Sequence, residues 1–454
     1  MRTRCSSLHS GRVRLALLVA LVSVTLGASV WSDERPADTI TLHTVTPALP
    51  VAIPLNDEEK AADRAMRFLE DRVRRDPEDF VAHNKLAGYY LQRLRETGSL
   101  DYLDLVSRAA RASLAVIPAV RNIGGLAALT QAEFASHDFT AARDHATRLT
   151  ELDPGKGYPY LMLSDALLEI GDYDQAESAL QRAERLDGDI TFSAEPRLAR
   201  LALLRGNTTG AQRHFAHALA LALNSPTPLR ETVAWCHWQL GETAFTIGDY
   251  KTAERHYRNA LKTFPGYFRA LASLGRVRAA RGDLVSAIAQ YECATHIIPD
   301  PAFVAALGDL YKLMGRETDA DTQYTLVELI GHLNAVNGAL YNRQLALFYA
   351  DHDVKAGEAY ANAAREYTVR HDIYGADAVA WTALKAGRLT EARAASKEAL
   401  RLGTRDAKLL YHAGMIARAA GDQTSARDYL KRALALNSRF DPLQSSIALK
   451  ALKK

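Results

Sequence analysis

Catalytic signatures are missing from these 454 residues. There is no H-E-x-x-H, no G-x-S-x-G, no G-x4-G-K-[ST] and no C-x2-C. With no nucleophile–base constellation in view, an enzyme is not expected, and no cofactor is implied. Cysteine is scarce: Cys5, Cys236 and Cys293 are the whole complement, too few for a disulfide-built scaffold. Cys5 precedes an apolar run, and the other two read as buried free thiols, because disulfide geometry is demanding. A surplus of either charge is also lacking. The chain carries 56 basic and 53 acidic residues, and residues 1–32 hold four Arg and no acid. The remainder is therefore close to neutral, which argues against the concentrated basic face that nucleic-acid binding needs.

What the chain has is a period. Gly171, Gly206, Gly248, Gly282, Gly315, Gly387 and Gly421 recur, mostly 33 to 35 residues apart. The clearest copies run Leu240-Gly241, Gly248-Asp249-Tyr250, Ala253, Tyr257, Ala260, Pro265, and then Leu274-Gly275, Gly282-Asp283, Ala287, Tyr291, Ala294, Pro299. Leu240, Gly241, Ala244 and Ile247 lie along one helical face. Gly248 suits a left-handed helix end, Asp249 can cap the helix that follows, and Pro265 stops it. One such hairpin cannot bury both its faces, so copies must stack.

The pattern resembles the tetratricopeptide repeat, W-x2-L-G-x2-Y, A-x3-F, A, P at matching offsets. It departs where His237 or Leu271 holds the first position and where His137-Asp138 replaces the Gly-Asp corner. Near Asp353 the copy is degenerate. The resemblance implies an all-α superhelical solenoid of about ten hairpins. Copies are expected at 80–118, 123–154, 157–188, 192–223, 234–265, 268–299, 301–336, 338–369, 373–404 and 407–438. Cap helices Asp57–Arg75 and Asp441–Lys453 complete a solenoid over 57–454. The stretch Asn224 to Thr232 is expected to be an inserted surface loop.

Residues 1–32 read as an export signal: Arg2, Arg4, Arg12 and Arg14, then the apolar run Leu15 to Leu26, then small residues. Cleavage after Ser32 or Ala28 would release an exported, periplasmic or secreted bacterial protein. An uncleaved segment would instead tether it to the inner membrane, since Leu15 to Trp31 is just long enough to span. Residues 33–56, with Pro36, Pro47, Pro50 and Pro54, read as a linker.

The resemblance also implies a function, protein or peptide binding by a scaffold or adaptor, and a place for it. The first helix of each hairpin would line a concave groove. Carried onto this sequence, that surface takes in Trp235, Trp238, Glu242 and Phe245 in one copy. It continues with Arg269 and Arg276, then Asp309 and Lys312, and further on Asp377 and Trp381. The tryptophans and Phe245 form an aromatic shelf, beside which Arg269 and Arg276 could meet carboxylates. The plainer reading is that the rings pack between hairpins. The alternative function is an accessory protein of an envelope system that handles a metal or small ligand. His214-x2-His217 is its best candidate, lacking a visible third partner.

Overall fold

A computed structural model describes residues 57–187, 192–336 and 342–453, all within one compact unit, Leu55–Lys454. The export segment and the Pro-rich linker lie outside the described residues. Among the described residues there are twenty-two α-helices and no strand. A leading helix, Asp57–Arg75, and a trailing one, Gln444–Lys453, flank ten consecutive helical hairpins.

The hairpin of Arg230–Thr246 and Tyr250–Thr263 shows how the motif builds itself. Gly248 takes the left-handed conformation, φ 75°, that ends the first helix. Asp249 then caps the second, its carboxylate accepting the Thr252 N–H at 3.0 Å. A Cβ on Gly241 would run into the Tyr257 ring, so only glycine lets the two helices close. Ala253, Tyr257 and Ala260 are fully buried beneath that contact. Burying a side chain the size of tyrosine is worth about 2–3 kcal/mol, and the same device recurs at Gly275 and Tyr291. The inserted loop proves shorter than the sequence implied. The helix begins at Arg230, whose Nε donates to the Thr263 carbonyl at 3.0 Å, leaving only Asn224 to Leu229 outside helices.

Where glycine is replaced at a corner, the backbone keeps its turn. His137 is held at φ 65°, and the degenerate copy places Asp353 and Lys355 at 56° and 47°. Left-handed backbone costs an L-residue about 1–2 kcal/mol. Surrounding packing therefore fixes these corners.

Successive turns of the superhelix touch. The corner of one hairpin meets the junction between two others some 200 residues on. The Tyr173 hydroxyl accepts the Ile373 N–H at 2.9 Å. Thr404 donates to the Leu204 carbonyl, and Asn437 Nδ2 donates to the Phe245 carbonyl at 2.7 Å. Arg370 pairs with Glu169 at 2.6 Å, and earlier in the array Arg230 pairs with Glu59 at 3.2 Å. A period near 200 residues is about six hairpins per turn. With successive turns in contact, the concave groove winds around the superhelix axis as the wall of a channel.

Candidate functional site

The sequence-nominated residues fall into three groups. Trp235 packs edge-to-face on Phe215 of the preceding hairpin, ring centroids 6.0 Å apart. Trp238 packs on Tyr267 and donates its indole N–H to Ser273 Oγ at 3.0 Å. Both rings are half-buried, and Phe245 is buried. Arg269 lies over the Phe268 ring at 4.5 Å and the edge of Trp238 at 5.9 Å. The aromatic residues therefore knit neighbouring hairpins together, and only part of the shelf reaches solvent.

Glu242 and Arg276 form the second group. Arg276 Nη2 contacts both Glu242 oxygens, at 2.6 and 2.7 Å, and Ser273 and Tyr257 each donate a hydroxyl to Glu242 at 2.7 Å. Burial would raise this carboxyl, but the Arg276 charge and those hydroxyls outweigh it and hold it below its ordinary value. Arg276 also lies 4.1 Å over the Phe245 ring, and its Nε remains unpartnered. The Arg276 and Glu242 side chains keep 32% and 26% of their surface accessible.

The third group is spread along the C-terminal part. Asp309 accepts the Tyr324 hydroxyl and a His352 ring N–H, both at 2.8 Å, while Lys312 is exposed. Trp381 is only 2% exposed, which places it in the core and off the channel surface. Its ring stacks on His412 at 4.2 Å and its N–H donates to Asp351 at 2.7 Å.

Sequence reading missed Asp351, Lys408, His412, Asp441 and Gln444. Here three hairpins and the trailing helix meet. Lys408 and Gln444 both donate to Asp351, at 2.9 and 2.7 Å. Burial would raise the Asp351 carboxyl, but Lys408 outweighs it and holds it low. Only the repeat offsets could have hinted at this, and they place the residues in separate copies.

The histidine pair acquires the partner that the sequence did not show. Glu195 receives His214 on one oxygen at 2.8 Å and His217 on the other at 2.9 Å. Both Nδ1 atoms are thereby spent on a buried carboxylate. Among the described residues no group of three or more His, Cys, Asp or Glu is placed to hold a metal ion. No disulfide joins Cys236 and Cys293, and burial pushes the Cys236 thiol up to about 12. No described helix is long and apolar enough to cross a membrane.

Models of the tetratricopeptide repeat match residues 133–201, 191–266, 238–300 and 379–442, together about half of the chain. A curated relative, FK506-binding protein-like from Mus musculus, is 32% identical over 117 residues. That match takes in 25% of this chain and 33% of the relative's length. Two solved structures are similar at lower identity. One is PilW, a type IV pilus biogenesis factor, at 16% identity and TM-score 0.38, covering 45% of this chain and 91% of that one. The other is the APC/C hetero-tetramer Cut9–Hcn1, at 12% identity and TM-score 0.33, covering 87% and 94%.

Proposed function

Because this chain belongs to the tetratricopeptide repeat family, we propose that it works by binding, as a scaffold or adaptor for another protein. The guest would present an extended segment to the channel wall around Glu242 and Arg276. The observation that carries this reading is an ion pair between neighbouring first helices whose side chains keep 32% and 26% of their surface accessible. The Arg276 side chain keeps 32% of its surface accessible, so a guest carboxylate could approach the guanidinium beside the existing pair. A few anchors of this kind would supply most of the affinity, and total area would supply little. Residues 1–32 would export the chain, to the periplasm or beyond, or remain as a membrane tether.

Affinity capture with the full chain, followed by mass spectrometry, tests the first part. Arg276→Met and Trp238→Ala should each deplete the captured partner while helical content by circular dichroism stays constant. Capture that is indifferent to both variants would move the binding surface elsewhere. Cell fractionation with N-terminal sequencing of the mature protein tests the second part, and a cytoplasmic chain beginning at Met1 would refute export.

A further inference from the structure

The C-terminal corner gathers Asp351, Asp377, Asp406 and Asp441 around Lys408 and His412. Asp351 is matched by Lys408, and Asp377 faces His412 Nδ1 with both oxygens at 2.9 Å. Asp406 and Asp441 have no side-chain cation within ion-pairing distance among the described residues. Their oxygens accept backbone N–H groups instead, from Lys408 and Leu409 in one case and from Leu443 and Gln444 in the other. Capping explains that placement but not the charge, since Asn caps a helix as well as Asp does.

Two unpartnered atoms in the same corner point the same way. Gln444 is 5% exposed; its amide nitrogen is spent on Asp351, and its Oε1 has no donor. His412 is 1% exposed; its Nδ1 faces two carboxylate oxygens and so carries the proton. Its Nε2 has no partner. Around them the Lys408 side chain is 38% exposed and Asp406 and Asp441 are half-buried, so the rim of the corner meets solvent. It offers acceptors and negative charge, and asks for a donor that is positive.

We propose that this corner is a receptor for a cationic group of the guest: a lysine or arginine side chain, or a free N-terminal ammonium. The proposal rests on the reading that the channel receives a peptide segment, and it names the chemistry of one anchor. Asp406 and Asp441 supply the charge. Gln444 Oε1 supplies direction, and Lys408, already held by Asp351, repels a cation placed too deep.

Selection of phage-displayed random nonapeptides on the full chain tests it, followed by fluorescence anisotropy with synthetic copies of the enriched sequences. The enriched peptides should share a Lys or Arg at one position, or lose affinity when their N-terminus is acetylated. Those two arms separate side chain from terminus. Asp406→Asn/Asp441→Asn keeps both caps and should bind about tenfold to a hundredfold more weakly, as for the loss of one charge-assisted hydrogen bond. Lys→norleucine in the peptide should remove that difference. Peptides without a basic group, or equal affinity for the double variant, would overturn the receptor. The channel reading would still stand if Arg276→Met weakened those same peptides. No enriched peptide at all, or binding indifferent to every variant, would overturn both.

Discussion

In the hairpin Arg230–Thr263 the buried stripe of the second helix is Ala253, Tyr257, Ala260. Three hairpins later, in Arg343–Tyr367, the matching positions are Ala359, Ala363 and Glu366. The first copy follows the repeat motif and fills its interior with a ring. The second breaks the motif and buries a carboxylate, held by Arg343 and Arg370, each at 2.9 Å. Arg370 then reaches the preceding turn, where it pairs with Glu169 and lies 4.5 Å over the Phe139 ring. Departure from the motif here is not decay. The degenerate copy gives up apolar packing within its own hairpin and gains a tie between turns.

Removing the ring of Tyr257 attacks the regular copy where it is strongest. Tyr257→Ala should cost about 4 kcal/mol, as expected for an aromatic deleted from a closed core, seen as a lower urea midpoint. Arg370→Met attacks the irregular copy and leaves Glu366 and Glu169 short of a partner. About 3 kcal/mol should be lost, and X-ray scattering should show a larger radius of gyration, which Tyr257→Ala at matched stability should not. If Arg370→Met leaves the radius unchanged, the tie between turns is not what holds them together.

A single substitution type sharpens the contrast between a motif residue and an incidental one. Gly241→Ala should destabilise by about 2 kcal/mol, because its methyl group overlaps the Tyr257 ring. Gly88→Ala, in the helix Phe80–Thr97 with nothing near its Cβ position, should stabilise by about 0.5–1 kcal/mol.

The smallest expected effect concerns the acidic corner. Burial raises the Asp406 carboxyl above the ordinary aspartate value of 3.8. Below 3.8 both folded and unfolded chains carry the proton, and Asp406→Asn should match the parent. As pH rises from there through the folded value, the native chain holds its proton longer, so the parent loses stability relative to the variant. The variant should therefore be the more stable near pH 7, and the advantage should vanish in acid. An acid that costs stability in the free protein fits a group kept for binding. A midpoint for the variant below that of the parent at pH 7 would remove that argument.

The architecture was legible because glycine spacing, Asp caps and paired small residues are local signals that recur. Gly241 against Tyr257 and Gly275 against Tyr291 follow from offsets alone. The channel was not legible, because contacts such as Asn437 with Phe245 depend on superhelical pitch, the accumulated result of small rotations at every junction. The candidate site was legible in part. Repeat offsets nominated Glu242, Arg276, Asp309 and Asp377, and also Trp381, which is buried in the core. Asp351, Lys408 and Gln444 come together from positions that no motif links.

Repeat arrays are commonly trimmed or extended at will, because each unit answers only to its neighbours. This one should not tolerate that treatment. Cutting after Leu436 would strip Asn437 from the Phe245 carbonyl and from Tyr250, two hundred residues upstream, as well as removing the trailing helix. The smallest fragment that folds faithfully should be set by the circumference of a turn, and not by the length of a hairpin.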